Sequence, residues 1–136
     1  SQFIKLTMMF QKEVANRIIA KPGSKPYNRL SVITQLKTKT KILFDIPDTA
    51  FFPKPKVQSS LVQFIPYDNK KHNFDFEKME ELTRFVFSKK RKMLRTIFKN
   101  EGGSSFLNSI NVCPNIRPEN LTLDEFCKLE FALRKH

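Results

Sequence analysis

Six cations fall at Lys89, Lys90, Arg91, Lys92, Arg95 and Lys99 with no acid among them. A solvated helix usually relieves such repulsion with carboxylates at i,i+4, and a phosphate backbone relieves it better. Spaced as a helix, Arg91, Arg95 and Lys99 form one stripe while Met93, Leu94, Ile97 and Phe98 turn inward. These six residues are therefore the candidate nucleic-acid phosphate contacts, the alternative being an ordinary solvated helix face. A second stretch, Phe51-Phe52-Pro53-Lys54-Pro55-Lys56-Val57-Gln58-Ser59, stiffens a loop with prolines and holds two rings beside lysines. Rings so held can stack on bases or plug a hydrophobic core, and composition leaves both open. Cys113 and Cys127 form no C-x-x-C motif, and His72 and His136 do not cluster with them. They read as structural thiols in a reducing compartment, and no metal is expected.

These groups need elements to hold them. Residues 3–10 read as the middle of a buried or half-buried strand, and residues 11–20 as a helix with Val14 and Ile18 inward. Pro22-Gly23-Ser24-Lys25-Pro26 breaks that helix before a second one over residues 27–36. From residue 36 to 46 the period becomes two: Leu36, Thr38, Thr40, Ile42, Phe44 and Ile46 share one face, and Lys37, Lys39 and Lys41 the other. The lysine face either guards an edge or meets RNA. With a further strand over residues 60–65, an antiparallel β-hairpin is expected. Residues 66–73 form a polar joint, after which Phe76, Met79, Leu82 and Val86 take helical spacing. Gly102 and Gly103 should interrupt the helices, and Thr122 with Glu125 reads as a capping box opening the last one.

The whole chain has 136 residues, 40% hydrophobic, with 25 Lys and Arg against 13 Asp and Glu, a formal net charge of +12. That content supports a folded core and excludes a disordered tail, while the surplus favours a polyanionic partner. No apolar run approaches the roughly 20 residues of a spanning helix, so no membrane role is expected. The chain does not begin with Met, and its first residues read as mid-strand, so a preceding segment is expected.

The run F-x-P-x-P-K-V-x-S at residues 51–59 resembles the ribosomal RNA adenine dimethyltransferase family. Phe10-Gln11-Lys12-Glu13-Val14-Ala15-Asn16-Arg17, Tyr27-Asn28-Arg29-Leu30-Ser31-Val32, and Arg91-Lys92 with Leu94-Arg95 carry the resemblance in the family's order across nearly the whole chain. It implies an enzyme that dimethylates two adjacent adenosines near the 3′ end of small-subunit ribosomal RNA on N6, using S-adenosylmethionine. It places Phe51 against the flipped target adenine, with Phe52, Pro53, Pro55 and Lys56 in the substrate loop and the position of Phe52 variable. Residues 11–17 and 27–35 then look like catalytic-domain helices with structural duties, and Arg29 like a residue bonding a neighbour.

The expected fold is α+β: residues 1–66 as the C-terminal portion of a Rossmann-like methyltransferase domain, and residues 67–136 as a small all-helical RNA-binding domain. Where the family commonly has glycine stands Asn28, a residue that tolerates a left-handed backbone. Lys89-Lys90 replaces a usual glutamine and arginine, keeping positive charge. The family's glycine-rich cofactor loop, acidic ribose ligand and Asn-Leu-Pro-Tyr motif do not occur in this chain, so S-adenosylmethionine is expected on a preceding segment and the fragment alone should be inactive. The implied partners are small-subunit ribosomal RNA and a pre-30S-type particle, without membrane or obligate protein partner. The implied location is the cytoplasm, or an organellar matrix. The competing class is a non-catalytic nucleic-acid-binding module, such as a ribosome-assembly or mitochondrial transcription factor of the same descent. The related macrolide-resistance methyltransferases of large-subunit RNA match the loop and basic run less well.

Overall fold

The computed structural model describes residues 4–54, 56–67 and 72–135. Phe3, Pro55, part of the polar joint and His136 lie outside the described residues. The chain is α+β. Strands β1 (Leu6–Gln11), β2 (Thr38–Ile46) and β3 (Ser59–Pro66) form an antiparallel sheet in the order β1-β3-β2. Helices α1 (Lys12–Ile19) and α2 (Arg29–Lys37) lie between β1 and β2. After β3 come α3 (Phe76–Ser88), α4 (Leu94–Ile97), α5 (Ser104–Ser109) and α6 (Leu123–Arg134).

The expected hairpin of β2 and β3 is present, but β2 is irregular. Ile42 pairs with Val62 and Phe44 with Leu61, so Leu43 is an extra residue. A one-residue slip moves every later side chain to the opposite face. Phe44 and Ile46 therefore leave the face of Thr38, Thr40 and Ile42 and join that of Lys39 and Lys41. The all-lysine face expected from strict alternation is thus half apolar, with Phe44 56% exposed on it. Lys37 falls on the last turn of α2, its ammonium 4.6 Å from the centre of the Phe76 ring.

Of the buried or half-buried strand expected, β1 is the half-buried kind: it pairs with β3 on one side, at the edge of the sheet, and Leu6, Met8 and Met9 are each 52% exposed. The sheet's core is small. Ala15 and Ile18 of α1 cover Val62 and Phe64 of β3, with Phe10, Val14, Ile19 and Ile42 at its margin.

A larger core lies among the helices. Val32 and Leu36 of α2 pack with Met79, Leu82 and Val86 of α3, with Leu94, Ile97 and Phe98, and with Leu121, Phe126 and Leu129. α2 starts at Arg29 because Asn28 caps it: its Oδ1 accepts from the amides of Leu30 (3.0 Å) and Ser31 (3.4 Å), and Ser31 Oγ accepts from the Asn28 amide. Asn28 is extended (φ −155°), so its amide side chain serves as an N-cap and not as a tolerant left-handed residue. Tyr27 stays outside the helix and fully buried, donating its hydroxyl to the Leu121 carbonyl at 2.7 Å. Arg29 reaches Glu80 of α3 at 3.2 Å, a structural contact between helices.

The glycine break falls where expected. Gly102 (φ 121°) and Gly103 (φ 58°) turn the chain into α5, and a Cβ on Gly102 would stand 3.2 Å from that of Phe106. The Thr122–Glu125 capping box opens α6, each residue's side chain accepting the other's amide at 3.1 and 2.9 Å.

Candidate nucleic-acid interface

The loop after β2 is closed at its base by the Ile46–Ser59 pair. Its first residues turn as a 3-10 helix at Asp48–Ala50, in which the Phe51 amide donates to the Asp48 carbonyl at 3.2 Å. Lys54 lies 3.8 Å from the Asp48 carboxylate, and the Lys12 amide at the start of α1 donates to the Gln58 carbonyl at 2.8 Å. Proline stiffness and these ties hold the loop against α1. Below it, Lys12 and Ser60 both donate to Asp45, and these hydrogen bonds keep its carboxyl below the usual carboxylate range.

On this frame Phe51 is half-buried and its backbone extended, while Phe52, Pro53, Lys54 and Lys56 are exposed. The Phe52–Pro53 peptide bond is cis. The Phe52 ring is fully in solvent, at 102% relative exposure. Neither ring belongs to either buried core of the described residues.

The six cations do not share one helix. α3 ends at Ser88, Lys89–Lys92 form a turn, Met93 is extended (φ −73°, ψ 152°), and Lys99 opens a 3-10 turn. Uninterrupted like charge disfavours continuing α3, and the chain instead gains cross-links. The Leu94 and Arg95 amides donate to the carbonyls of Ile116 and Pro114, both at 2.9 Å, and Arg117 Nε donates to the Arg91 carbonyl at 3.0 Å. The helical stripe of Arg91, Arg95 and Lys99 is therefore corrected to a turn followed by two short helical pieces. The inward expectation holds for Leu94, Ile97 and Phe98, all buried, with Met93 only partly so. Lys90, Arg91, Lys92, Arg95 and Lys99 are exposed. Lys89 rests its ammonium 5.6 Å from the Phe85 ring centre, and Arg95 donates to Asn115.

Lys90 also lines a cleft of about 350 Å³ with Arg17, Lys25 and Asn28. Arg17 is partly neutralised by Glu13 at 2.7 Å, whereas Lys25 is exposed. Sequence reading missed Lys25, because more than sixty positions separate it from Lys90 and its only local signal is a stiff Pro-Gly-Ser-Lys-Pro turn. α1 is the element common to both areas: its first residue holds the loop and Arg17 near its end reaches this cleft. Among the described residues no group of His, Cys, Asp and Glu could hold a metal ion. Burial, with Asp124 and Glu130 nearby, pushes the Cys127 thiol up to about 11, which leaves little thiolate for chemistry at neutral pH.

Rings on a stiff loop and unneutralised cations on a turn are what a protein needs to hold single-stranded nucleic acid by stacking and charge. The family model for ribosomal RNA adenine dimethylase matches residues 1–135, and the chain belongs to that family. It is 46% identical over 129 residues to a ribosomal RNA small subunit methyltransferase A of a Wolbachia strain from Drosophila simulans, covering 93% of this chain and 47% of that protein. It is 42% identical to the protein of the same name from Mesorhizobium japonicum, covering 93% of this chain and 45% of that protein. The chain thus spans about half the length of these relatives. A dimethyladenosine transferase crystal structure from Plasmodium falciparum superposes with a TM-score of 0.85 at 28% identity, over 96% of this chain and 57% of the other. The 23S rRNA methyltransferase ErmE shares the fold, with a TM-score of 0.67 at 17% identity, over 96% of this chain and 55% of the other.

Proposed function

We propose that this chain is the C-terminal half of an S-adenosylmethionine-dependent small-subunit rRNA adenine N6,N6-dimethyltransferase that acts in the cytoplasm on two adjacent adenosines near the 3′ end, within a pre-30S-type particle. Residues 1–66 complete the catalytic Rossmann-like domain, and residues 67–136 form the helical RNA-binding domain. The observation that carries this reading is the family match over residues 1–135, with F-x-P-x-P-K-V-x-S standing on a stiff loop at the sheet's end. The edge strand β1, with Leu6 and Met8 half in water, offers a free ladder side to a preceding part of the sheet.

The residues present do not fit S-adenosylmethionine. Glycines occur at 23, 102 and 103, all in turns between helices and none in a strand-to-helix loop that could cradle a cofactor. The cofactor therefore belongs to the preceding half, and the contribution of this chain is to place the base. Adenine N6 is a poor nucleophile because its lone pair is delocalised into the ring, so it must be extruded and aimed. Extrusion costs a few kcal/mol, and a stacking ring returns about 1–3 kcal/mol per base. Phe51, on an extended backbone at the root of the loop, is the residue that stacks. Lys90, Arg91, Lys92, Arg95 and Lys99 supply phosphate contacts that position the RNA without reading its sequence.

The test is methyl transfer by the full-length protein to undermethylated small ribosomal subunits, read as N6,N6-dimethyladenosine by mass spectrometry. Phe51→Leu should lower methylation efficiency about five- to two-hundred-fold while leaving RNA affinity nearly unchanged. RNA binding without any methyl transfer by the native protein would favour the non-catalytic module instead.

A further inference from the structure

We propose that Phe52 is a second stacking platform, taking a base that adjoins the extruded adenine while Phe51 takes the adenine itself. The inference rests on the methyltransferase reading and adds a substrate contact at a position that the loop motif leaves variable. At 102% relative exposure Phe52 far exceeds the other exposed apolar residues described, of which Ile4 and Phe44 come next at 56%. A ring left wholly in water forgoes the burial that favours every aromatic side chain, so its place on a stiff loop needs a partner from outside the chain.

Exposure distinguishes the two rings. Phe51 is half-buried, whereas Phe52 stands wholly in solvent. With Phe51 assigned to the target, the free ring of Phe52 is left for a neighbouring base of the same strand. Charge selects the kind of partner. Lys54 and Lys56 are exposed on the same loop, Asp48 is its sole acid and is already engaged by Lys54, and the chain as a whole carries +12. An exposed ring flanked by cations suits the alternating bases and phosphates of single-stranded RNA better than an apolar protein face.

The experiment is a two-by-two cycle in the full-length protein. Native and Phe52→Ala proteins are given RNA carrying the target adenosine, either intact or with the 5′ or the 3′ neighbour made abasic. Methylation efficiency and RNA affinity are both read. On intact RNA, Phe52→Ala should cost about five- to two-hundred-fold in one or both readouts, and Phe52→Trp should restore it. At one of the two neighbours, the abasic substitution should cost the native protein a similar factor and add nothing to Phe52→Ala. Losses that multiply at both neighbours, or an alanine variant indistinguishable from native, would overturn the proposal. So would a lowered thermal midpoint in Phe52→Ala, which would mean the ring packs against another part of the protein. If the native protein transfers no methyl group, the enzyme reading fails on its own and the affinity cycle still decides the role of Phe52.

Discussion

The two packed regions of this molecule are built to different degrees of completion. Among the described residues, the helical core buries fifteen hydrophobic side chains, from Ala20 and Tyr27 through Leu129, whereas the core under the sheet buries four. The sheet also leaves Leu6, Met8, Met9 and Phe44 more than half exposed. Hydrophobic stabilisation scales with apolar area removed from water, so the helices can hold their own geometry while the sheet needs a partner. The basic turn is mounted on the rigid region and the aromatic loop on the incomplete one. On the proposed reading, RNA affinity should accordingly depend little on the other half of the enzyme, and base positioning a great deal.

The largest effect that would break this comparison comes from the helical core. Phe126 is fully buried and stacks on Phe87 with ring centres 5.8 Å apart. Phe126→Ala should cost about 3–5 kcal/mol, against about 2 kcal/mol for Val62→Ala under the sheet, where two carbons and a smaller cavity are involved. Urea midpoints at constant m-value report both. Equal losses would mean that Val62 is packed more tightly per buried carbon than Phe126, which would reverse the contrast between the two cores.

Next in size is the electrostatic share. Replacing Lys90, Arg91 and Arg95 together by Gln should flatten the slope of log affinity against log salt by about 2–3, at roughly 0.7–0.9 per phosphate contact. The same replacement should leave the urea midpoint almost unmoved, since all three side chains are exposed. An unchanged slope would make the turn an ordinary solvated surface.

Tyr27 tests the seam between the regions. It sits in the link between α1 and α2, yet its hydroxyl donates to Leu121 near the other end of the chain, and burial together with the charge of Glu125 pushes its ionisation well above the ordinary range. The phenol therefore keeps the proton it donates at any working pH. Tyr27→Phe removes that donor and strands a buried carbonyl, for about 1–2 kcal/mol. Stability unchanged within error would show that the Leu121 carbonyl finds another donor.

How far the sequence predicted all this depended on locality. Caps and breaks were legible: Thr122 with Glu125 and Gly102 with Gly103 act within a few residues, and they fall where the pattern placed them. The β2–β3 hairpin was legible too, from two periodic runs around a proline loop. The bulge at Leu43 was not, because period-two spacing carries no mark of an inserted residue, and it moved Phe44 and Ile46 to the other face. The basic run kept a helical spacing that the structure does not use, since the amides of Leu94 and Arg95 are claimed by Ile116 and Pro114, some twenty residues away. Lys25 joined Lys90 through tertiary packing alone. The aromatic loop was visible as a motif, whereas the contrast between a half-buried Phe51 and a solvent-borne Phe52 needed coordinates.

The smallest effect concerns the joint beneath that loop. Asp45 accepts from Lys12 of α1 and from Ser60 of β3, so one carboxylate connects the start of α1 to two strands just past the bulge. Because those hydrogen bonds lower its pKa in the folded state, its contribution is present above the unfolded carboxylate range and is lost as the pH falls through the lower folded value. Both members of the Lys12–Asp45 pair are more than two-fifths exposed, so solvent and salt screen it, and its effect should be slight beside those above. Asp45→Asn should make the urea midpoint fall less between neutral pH and about pH 3 than it does in the native protein, by removing one group that titrates with folding. If the joint also sets the height of the loop, Asp45→Asn will lower methylation in the full-length protein at neutral pH more than it lowers stability. A variant that keeps full activity and an unchanged pH profile would leave the loop held by its proline-stiffened backbone and the Gln58–Lys12 hydrogen bond, with the carboxylate a bystander.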